Sequence, residues 1–241
     1  MPNFAEHAAD YDASALIQAE LAEWGAGWLE TDLTGRHALE FGAGTGLFTR
    51  QLVKTGADLL ATDLSPAMLR EGRRNVPAAR WQTLDAWNPS VGVKFDRLYS
   101  AALLQWCPSP SDALRHWKEL LLPGGKILCL LFVKGTLAEL DDAEPETTSV
   151  AWRDEEEWQE IFAKAELHVL RAEEESRTFA FADARALLRY LRDIGVSEKG
   201  ILSSGRLRRL LRLYDEDFST ADGEVRSTWN FFRIEAGLPG E

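Results

Sequence analysis

The feature that most constrains this chain is a short apolar run followed by three glycines at every second position. The run ends at Phe41, and Gly42, Gly44 and Gly46 follow. Glycine lets the backbone turn tightly and approach a ligand where a Cβ atom would clash. Helix-compatible sequence begins at Leu47. The pattern therefore predicts a strand, a tight turn and a helix whose free N–H groups face a bound ligand.

The spacing of the glycines separates two kinds of nucleotide site. A dinucleotide-binding turn reads Gly-x-Gly-x-x-Gly, and here Leu47 stands where its third glycine would be. This spacing disfavours a nicotinamide-dependent oxidoreductase. With Glu40 two residues before the first glycine, the turn resembles motif I of the class I methyltransferases that depend on S-adenosylmethionine (SAM). The resemblance implies SAM as the cofactor and S-adenosylhomocysteine (SAH) as its product.

Two acids follow at the ends of the next predicted strands. Residues 58–62 form an apolar run that ends at Asp63, which lies 63 − 42 = 21 residues after Gly42. An acid about 20 residues after the glycine turn is placed to accept hydrogen bonds from ribose hydroxyls. Residues 80–84 form a third strand closed by Asp85. We expect Asp85 to accept a hydrogen bond from the adenine amino group.

Strand and helix patterns alternate along the whole chain, which is typical of an α/β fold. The predicted strands are 37–41, 58–63, 80–84, 95–102, 127–133, 167–176 and 227–234. We expect a Rossmann-like, seven-stranded, mostly parallel sheet in a single methyltransferase domain, 1–241. Its predicted parts are an N-terminal helical lid (1–33), a SAM-binding core (34–140) and a substrate-side half (141–241) with a small helical cap at about 180–222.

Composition excludes several other classes of protein. The 241 residues carry a net charge of −12, which argues against nucleic acid as a partner. No apolar run approaches the roughly 20 residues of a membrane span, and the N-terminus does not resemble a signal peptide, so we expect a cytoplasmic protein that does not bind membranes. Cys107 and Cys129 have no metal-ligand spacing, and we expect both to be buried, with no metal site.

Several segments resemble one family more specifically, the malonyl-[acyl-carrier-protein] O-methyltransferases of biotin synthesis. The resemblance extends from the N-terminus to the predicted cap. The segments that carry it are 4–12, 63–69, 103–107 (Leu-Leu-Gln-Trp-Cys), 122–125, 135–140 (Gly-Thr-Leu-Ala-Glu-Leu), 187–195 and Thr228-Trp229.

The resemblance implies methyl transfer from SAM to the free carboxylate of a malonyl thioester on an acyl-carrier protein. It implies a catalytic role for Tyr11 and for Arg189, whose guanidinium would hold the carboxylate. The implied cofactor-binding residues are Tyr11, Gln18, Glu40, Gly42, Ala43, Gly44, Gly46, Asp63, Leu64, Met68, Asp85, Ala86, Trp87, Ala101 and Trp106. Because carrier proteins are acidic, a local basic patch is expected to receive one. Its candidate residues are Arg206, Arg208, Arg209 and Arg212.

Other interpretations stay open at this point. The same core serves methyltransferases of small free carboxylic acids, such as a trans-aconitate-like substrate, and a non-catalytic SAM-binding protein would share the glycine turn. The sequence alone favours core packing for Tyr11 and plain solvation for Gln18. Met68 is equally compatible with core packing, and Arg185, Arg189 and Arg192 with a solvated helix face.

Overall fold

The computed structural model describes residues 14–144, 150–196 and 203–239. Seven strands in this part of the chain are β1 (His37–Phe41), β2 (Asp58–Asp63), β3 (Arg80–Thr83), β4 (Phe95–Ala101), β5 (Leu121–Phe132), β6 (His168–Phe181) and β7 (Val225–Gly237). They form one sheet in the order β3-β2-β1-β4-β5-β7-β6. The first five strands pair in parallel, and β7 is antiparallel to both its neighbours. The predicted seven-stranded, mostly parallel sheet is confirmed.

The first helix precedes β1, and the other helices lie in connections between strands, so that helices cover both faces of the sheet. They are α1 (Leu16–Ala26), α2 (Thr49–Leu52), α3 (Pro66–Asn75), α4 (Pro110–Glu119), α5 (Ala138–Ala143), α6 (Glu155–Lys164), α7 (Ala184–Asp193) and α8 (Ser204–Asp217). As the sequence predicts, α7 and α8 form a helical insertion between β6 and β7. No helix in the described ranges is long and apolar enough to cross a membrane.

Two hydrophobic cores lie on opposite faces of the sheet, and β5 contributes to both. Leu128 and Leu130 face one core, whereas Ile127, Cys129 and Leu131 face the other. Side chains of a strand alternate between faces, so a strand covered on both sides reads as a continuous apolar run. The two cysteines are free and buried, as expected.

A buried arginine fixes the end of α1 to the sheet. The guanidinium of Arg233 on β7 lies 4.1 Å from the ring centre of Trp24 and 4.4 Å from that of Trp28. It also donates to the Glu173 carboxylate at 2.6 Å and to the Trp24 carbonyl at 2.6 Å. The two tryptophans, which are four residues apart, therefore contact the same cation, which comes from the opposite end of the chain.

Some element boundaries differ from the sequence-based prediction. The helix-compatible sequence that begins at Leu47 forms only a single α-helical turn, α2, followed by a 3₁₀ turn at Val53–Thr55. Strands β6 and β7 are longer than expected, because they pair with each other from His168 to Phe181. Tertiary pairing thus extends strands whose polar ends carry little strand signal of their own.

A run of three acids, Glu173, Glu174 and Glu175, lies on the edge strand β6, and each of these acids has a hydrogen-bond partner. Glu173 accepts hydrogen bonds from Arg233, Glu174 accepts one from Asn230, and Glu175 accepts one from Arg177. The run therefore pairs polar groups along the β6–β7 ribbon as well as facing water.

Candidate functional site

The candidate site lies where the order of the strands reverses. Strand β2 lies on one side of β1 and β4 lies on the other, so the loops after β1 and β4 diverge and leave a crevice between them. Ligands of open α/β sheets bind in this crevice, outside the carboxyl ends of the strands.

The glycine turn after β1 forms one wall of the crevice. Gly42 and Gly44 have φ angles of +64° and +56°, which side-chain-bearing residues rarely adopt. A Cβ atom on Gly42 would lie 2.6 Å from Leu103, whereas a Cβ on Gly44 would enter open space. Gly42 is therefore required by packing against the loop after β4. Gly44 leaves free the room that a ligand needs to approach the backbone.

Asp63 at the end of β2 holds the glycine turn in place. Its Oδ2 accepts a hydrogen bond from the Gly44 amide at 3.0 Å, and its Oδ1 accepts one from the Ser65 amide at 2.7 Å. Burial raises the pKa of Asp63, and these backbone hydrogen bonds oppose the change. Asp63, which the sequence predicts to accept hydrogen bonds from ribose, therefore holds the glycine turn. Its position in the sequence did not indicate this contact.

Glu40, at the other side of the turn, is only 1% exposed. Its Oε2 accepts a hydrogen bond of 2.6 Å from the Thr49 hydroxyl. Burial raises the pKa of Glu40 to about 8; the hydrogen bond from Thr49 lowers it, and the nearby charge of Asp63 raises it. A cationic ligand beside Glu40 would favour its ionised form.

These elements border a cavity of about 400 Å³, a volume within the range of roughly 300–1,000 Å³ that is typical of small-molecule sites. The predicted residues in its wall are Gln18, Glu40, Gly42, Ala43, Gly44, Asp63, Leu64, Met68, Asp85, Ala86, Trp87, Ala101 and Trp106. Gly46 is not part of this wall, since a Cβ there would meet Val76 and Trp81 instead. Tyr11 lies outside the described residues.

The loop after β3 is held in place by hydrogen bonds that its backbone groups form with side chains. Asp85 accepts a hydrogen bond from the Trp87 amide at 2.9 Å. The carbonyl groups of Ala86 and Trp87 accept hydrogen bonds from the side chains of Trp117 and His116 on α4. Helix α4 thus fixes the loop so that Asp85 and Trp87 border the cavity beside Asp63.

Part of the wall was not identified as site residues from the sequence. It includes Leu103 and Gln105 after β4, Phe132 at the end of β5, Trp152 before α6, and Ile194 and Val196 after α7. The Leu-Leu-Gln-Trp-Cys segment contained a signal for Gln105, because it carries the family resemblance. Ile194 lies in segment 187–195, which also carries the family resemblance, whereas Trp152 and Val196 lie in loops without a recognisable pattern. Only folding brings these residues to the cavity.

Helix α1 and the cap contact each other at the cavity. The Tyr190 hydroxyl on α7 donates to the Gln18 side-chain oxygen at 3.0 Å and accepts from the Ile17 amide at 3.3 Å. Gln18 is 8% exposed and lines the cavity. The lid and cap are therefore joined by a polar contact on the wall itself, which links N-terminal and C-terminal parts of the chain.

The cap arginines lie away from the cavity. Arg189 is exposed on α7 and is not among the described residues of the wall. Arg206 pairs with Glu144, and Arg212 pairs with Glu216 on its own helix. Two arginines of the predicted basic patch, Arg208 and Arg209, are exposed on α8.

Comparison with known proteins identifies relatives for this arrangement. A family model described as a methyltransferase domain matches residues 39–129. A malonyl-[acyl-carrier protein] O-methyltransferase from Serratia marcescens is 30% identical over 227 residues, which cover 88% of this chain and 86% of the relative. An enzyme of the same name from Halorhodospira halophila is also 30% identical, over 94% of this chain and 83% of the relative.

The solved structures share the fold at low sequence identity. Magnesium protoporphyrin IX methyltransferase from Synechocystis PCC 6803, solved with bound SAH, matches with a TM-score of 0.60 and 15% identity. The match covers 94% of this chain and 86% of that structure. This chain therefore shares the fold of that methyltransferase.

Proposed function

Because this chain belongs to the malonyl-[acyl-carrier protein] O-methyltransferase family and is a SAM-dependent methyltransferase, we propose that it methylates the free carboxylate of a malonyl thioester in biotin synthesis. The observation that carries the proposal is the single cavity that joins the glycine turn to the loops after β4 and β5. A cofactor bound beside the glycine turn would face an acceptor bound beside the loops after β4 and β5.

The residues at the glycine turn fit SAM. Its sulfonium and ammonium groups are positive, and the described wall contains the carboxyl groups of Glu40, Asp63 and Asp85. The open space beside Gly44 allows a ligand to approach the backbone, and Trp87 offers a flat apolar surface. When bound, SAM supplies a methyl group already activated by the sulfonium.

The acceptor chemistry explains why no general base is needed in the wall. A carboxylic acid has a pKa of roughly 4 and is ionised at neutral pH, so no proton has to be removed before transfer. The protein must exclude water and hold the reacting groups in line. Phe132, Ile194 and Val196 supply apolar surface for the first task. Positioning of this kind can lower a barrier by roughly 7–11 kcal/mol.

The test is incubation of the protein with isotopically labelled SAM and a panel of acceptors, read by mass spectrometry. We expect the methyl ester of the malonyl thioester, with weaker methylation of the glutaryl thioester. Methylation of free dicarboxylic acids alone would replace the thioester with a small free acid as the substrate. Binding of SAM without formation of SAH on any acceptor would contradict an enzymatic function.

The partner that we propose is an acyl-carrier protein, received at Arg208 and Arg209. Both are exposed, and the described residues provide no carboxylate partner for either. An enzyme with a net charge of −12 needs such a local positive surface to approach an acidic carrier. Arg206 and Arg212 pair with glutamates, so they contribute less to the positive surface that would receive the carrier protein.

Charge reversal tests this docking surface. The double variant Arg208→Glu/Arg209→Glu should raise KM about tenfold or more for the carrier-bound substrate and leave KM for a small malonyl thioester unchanged. The matched control is Lys54→Glu/Lys94→Glu, which makes the same charge change before β2 and β4, at the N-terminal ends of parallel strands and so opposite the crevice. Equal effects of the two double variants, or equal loss for both substrates, would exclude docking at α8.

Arg189 is tested separately. If its guanidinium holds the carboxylate, Arg189→Ala should raise KM for even a small malonyl thioester. Its exposed position outside the described wall leads us to expect little change.

A further inference from the structure

The hydroxyl of Tyr190 forms two hydrogen bonds to the first turn of α1. It accepts one from the Ile17 amide at 3.3 Å and donates one to the side-chain oxygen of Gln18 at 3.0 Å. Tyr190 lies on α7, so these bonds join residues 172 and 173 positions apart in the chain. They tie the helix that precedes β1 to the cap that precedes β7.

These bonds supply what the start of α1 lacks. The first N–H groups of a helix have no partner within the helix, and a short polar side chain just before the helix usually accepts from one of them. Here that position is occupied by Ala15, which forms no such side-chain bond. The hydroxyl oxygen of Tyr190 accepts from the helix start instead, while its hydrogen is donated to Gln18.

The ring of Tyr190 is held separately from its hydroxyl. The ring centre lies 5.3 Å from that of Phe181 and 6.1 Å from that of Trp229, with the second pair at an angle of 88°. Such aromatic pairs stabilise packing without any hydrogen bond. Phe181 and Trp229 belong to β6 and β7, so the sheet determines where the hydroxyl lies. A phenylalanine at position 190 would keep this packing and remove only the oxygen.

Tyr190 holds two residues of the cavity wall. Gln18, which its hydroxyl binds, is 8% exposed and lines the cavity. The backbone carbonyl of Tyr190 accepts a hydrogen bond of 3.0 Å from the amide of Ile194, which also lines the cavity. Tyr190 itself is not among the described residues of the wall. It is therefore placed to act on a bound ligand through the residues that it holds.

The rest of α1 is held by other groups. Arg177 on β6 pairs with Glu20 at 2.7 Å, and Arg233 on β7 donates to the Trp24 carbonyl at 2.6 Å. Both contacts lie beyond Gln18, toward the C-terminal end of α1. Loss of the Tyr190 hydroxyl should therefore loosen the first turn of α1 and leave the remainder of the helix docked on the sheet.

We propose that Tyr190 is a positioning residue of the cofactor site: its hydroxyl keeps Gln18 and the first turn of α1 in place as part of the wall, and thereby slows release of the bound nucleoside. Elements that close a site often set the rate at which a product leaves it. The inference goes beyond the proposed acceptor chemistry, since it concerns the binding of SAM and SAH whichever acid is methylated.

The test compares Tyr190→Phe with Tyr214→Phe as the matched control. Tyr214 lies on α8 of the same cap, and its hydroxyl donates to the Arg226 carbonyl at 2.9 Å, but Tyr214 is not a described residue of the wall. Folding is checked by circular dichroism and urea unfolding. SAH affinity is measured by calorimetry. The rate of SAH release is measured by stopped-flow tryptophan fluorescence, because the described wall contains three tryptophans.

We expect Tyr190→Phe to weaken SAH binding about fivefold or more, which corresponds to the loss of about one net hydrogen bond. The loss should appear as faster release, with the rate of association nearly unchanged. Tyr214→Phe should bind and release SAH like the wild type, even if its free energy of unfolding is lower, because its hydroxyl bonds away from the wall.

A double-mutant cycle shows whether the hydroxyl acts through Gln18. Gln18→Leu removes the acceptor, and Gln18→Leu/Tyr190→Phe removes both partners. Because the two groups form one contact, the loss of SAH affinity in the double variant should be smaller than the product of the two single losses. Losses that multiply fully would show that the hydroxyl does not act through Gln18.

Two further results would overturn the assignment. Release of SAH at the wild-type rate in Tyr190→Phe would show that the hydroxyl does not retain the nucleoside. Equally faster release in Tyr214→Phe would make the effect one of general stability.

Failure of the proposed function gives a different pattern. If SAH binds the wild type but no acceptor is methylated, the enzymatic proposal fails, and faster release from Tyr190→Phe still supports the role of the hydroxyl. If the wild type does not bind SAH at all, the cavity does not hold the cofactor and both proposals are refuted.

Discussion

Glu40 is predicted to make the protein less stable as the pH rises, and the substitution Glu40→Gln tests this. In the folded chain the pKa of Glu40 is raised to about 8 by burial, compared with 4.5 for an unperturbed glutamate. Glutamine keeps the size of the side chain and can still accept the hydrogen bond from Thr49 through its amide oxygen. The substitution therefore removes the titration and little else.

The sign follows from the protons that each state binds. Below pH 4.5 the carboxyl group is protonated in both the folded and the unfolded chain. Between pH 4.5 and about 8 the unfolded chain has released this proton and the folded chain has kept it, so the free energy of unfolding falls as the pH rises. Above pH 8 both states are ionised, and the dependence ends. This difference between the two pKa values corresponds to a loss of about 5 kcal/mol at most in the free energy of unfolding.

The measurement is urea unfolding of the wild type and of Glu40→Gln at a series of pH values from 5 to 9, without cofactor. The advantage of the variant in free energy of unfolding should grow through this range and level off near pH 8. Asp96→Asn provides a control of opposite sign. Burial opposes ionisation of Asp96, but hydrogen bonds from the His37 amide and from Arg36 outweigh it and lower its pKa. Asp96→Asn should have a lower free energy of unfolding than the wild type near neutral pH, and this difference should disappear as the pH falls. An advantage of Glu40→Gln that stays constant with pH would refute the reasoning.

Three further substitutions test the cofactor end and the fold. Asp63→Ala should weaken SAH binding by about 1–3 kcal/mol in calorimetry, since it removes an acceptor and releases the glycine turn; unchanged affinity would remove Asp63 from the site. Gly44→Ala should cost about 1–2 kcal/mol of stability through its positive φ and should also weaken SAH binding; full affinity would show that no ligand approaches this backbone. Arg233→Leu should lower the free energy of unfolding by about 2–4 kcal/mol in urea titrations, because Glu173 loses its partner and Trp24 and Trp28 lose the cation between them; a change below 1 kcal/mol would contradict this.

The sequence predicted the local elements of the cofactor end well. The first strand, the glycine turn, and the acids Asp63 and Asp85 are encoded by spacing and by short apolar runs, and the structure places these acids at one cavity. Ser65 caps α3 through the hydrogen bond expected of a serine before proline. Such features depend on residues a few positions apart, so a single sequence contains the information.

The acceptor end was predicted less well, because it is assembled from distant loops. Trp152 lies between α5 and α6 without any periodic pattern, and Arg189 occupies a helix whose face toward the cavity could not be chosen from its arginines alone.

The sequence by itself determined the order of the elements, the cradle for the nucleoside and the acids at its strand ends. Only the tertiary structure decided that Asp63 binds the Gly44 amide, that Tyr190 meets Gln18, and that Phe132, Trp152 and Val196 border the same cavity. The physical reason is that backbone propensity and hydrophobic periodicity act over a few residues. Contacts between residues far apart in the chain are fixed only when the two faces of the sheet pack.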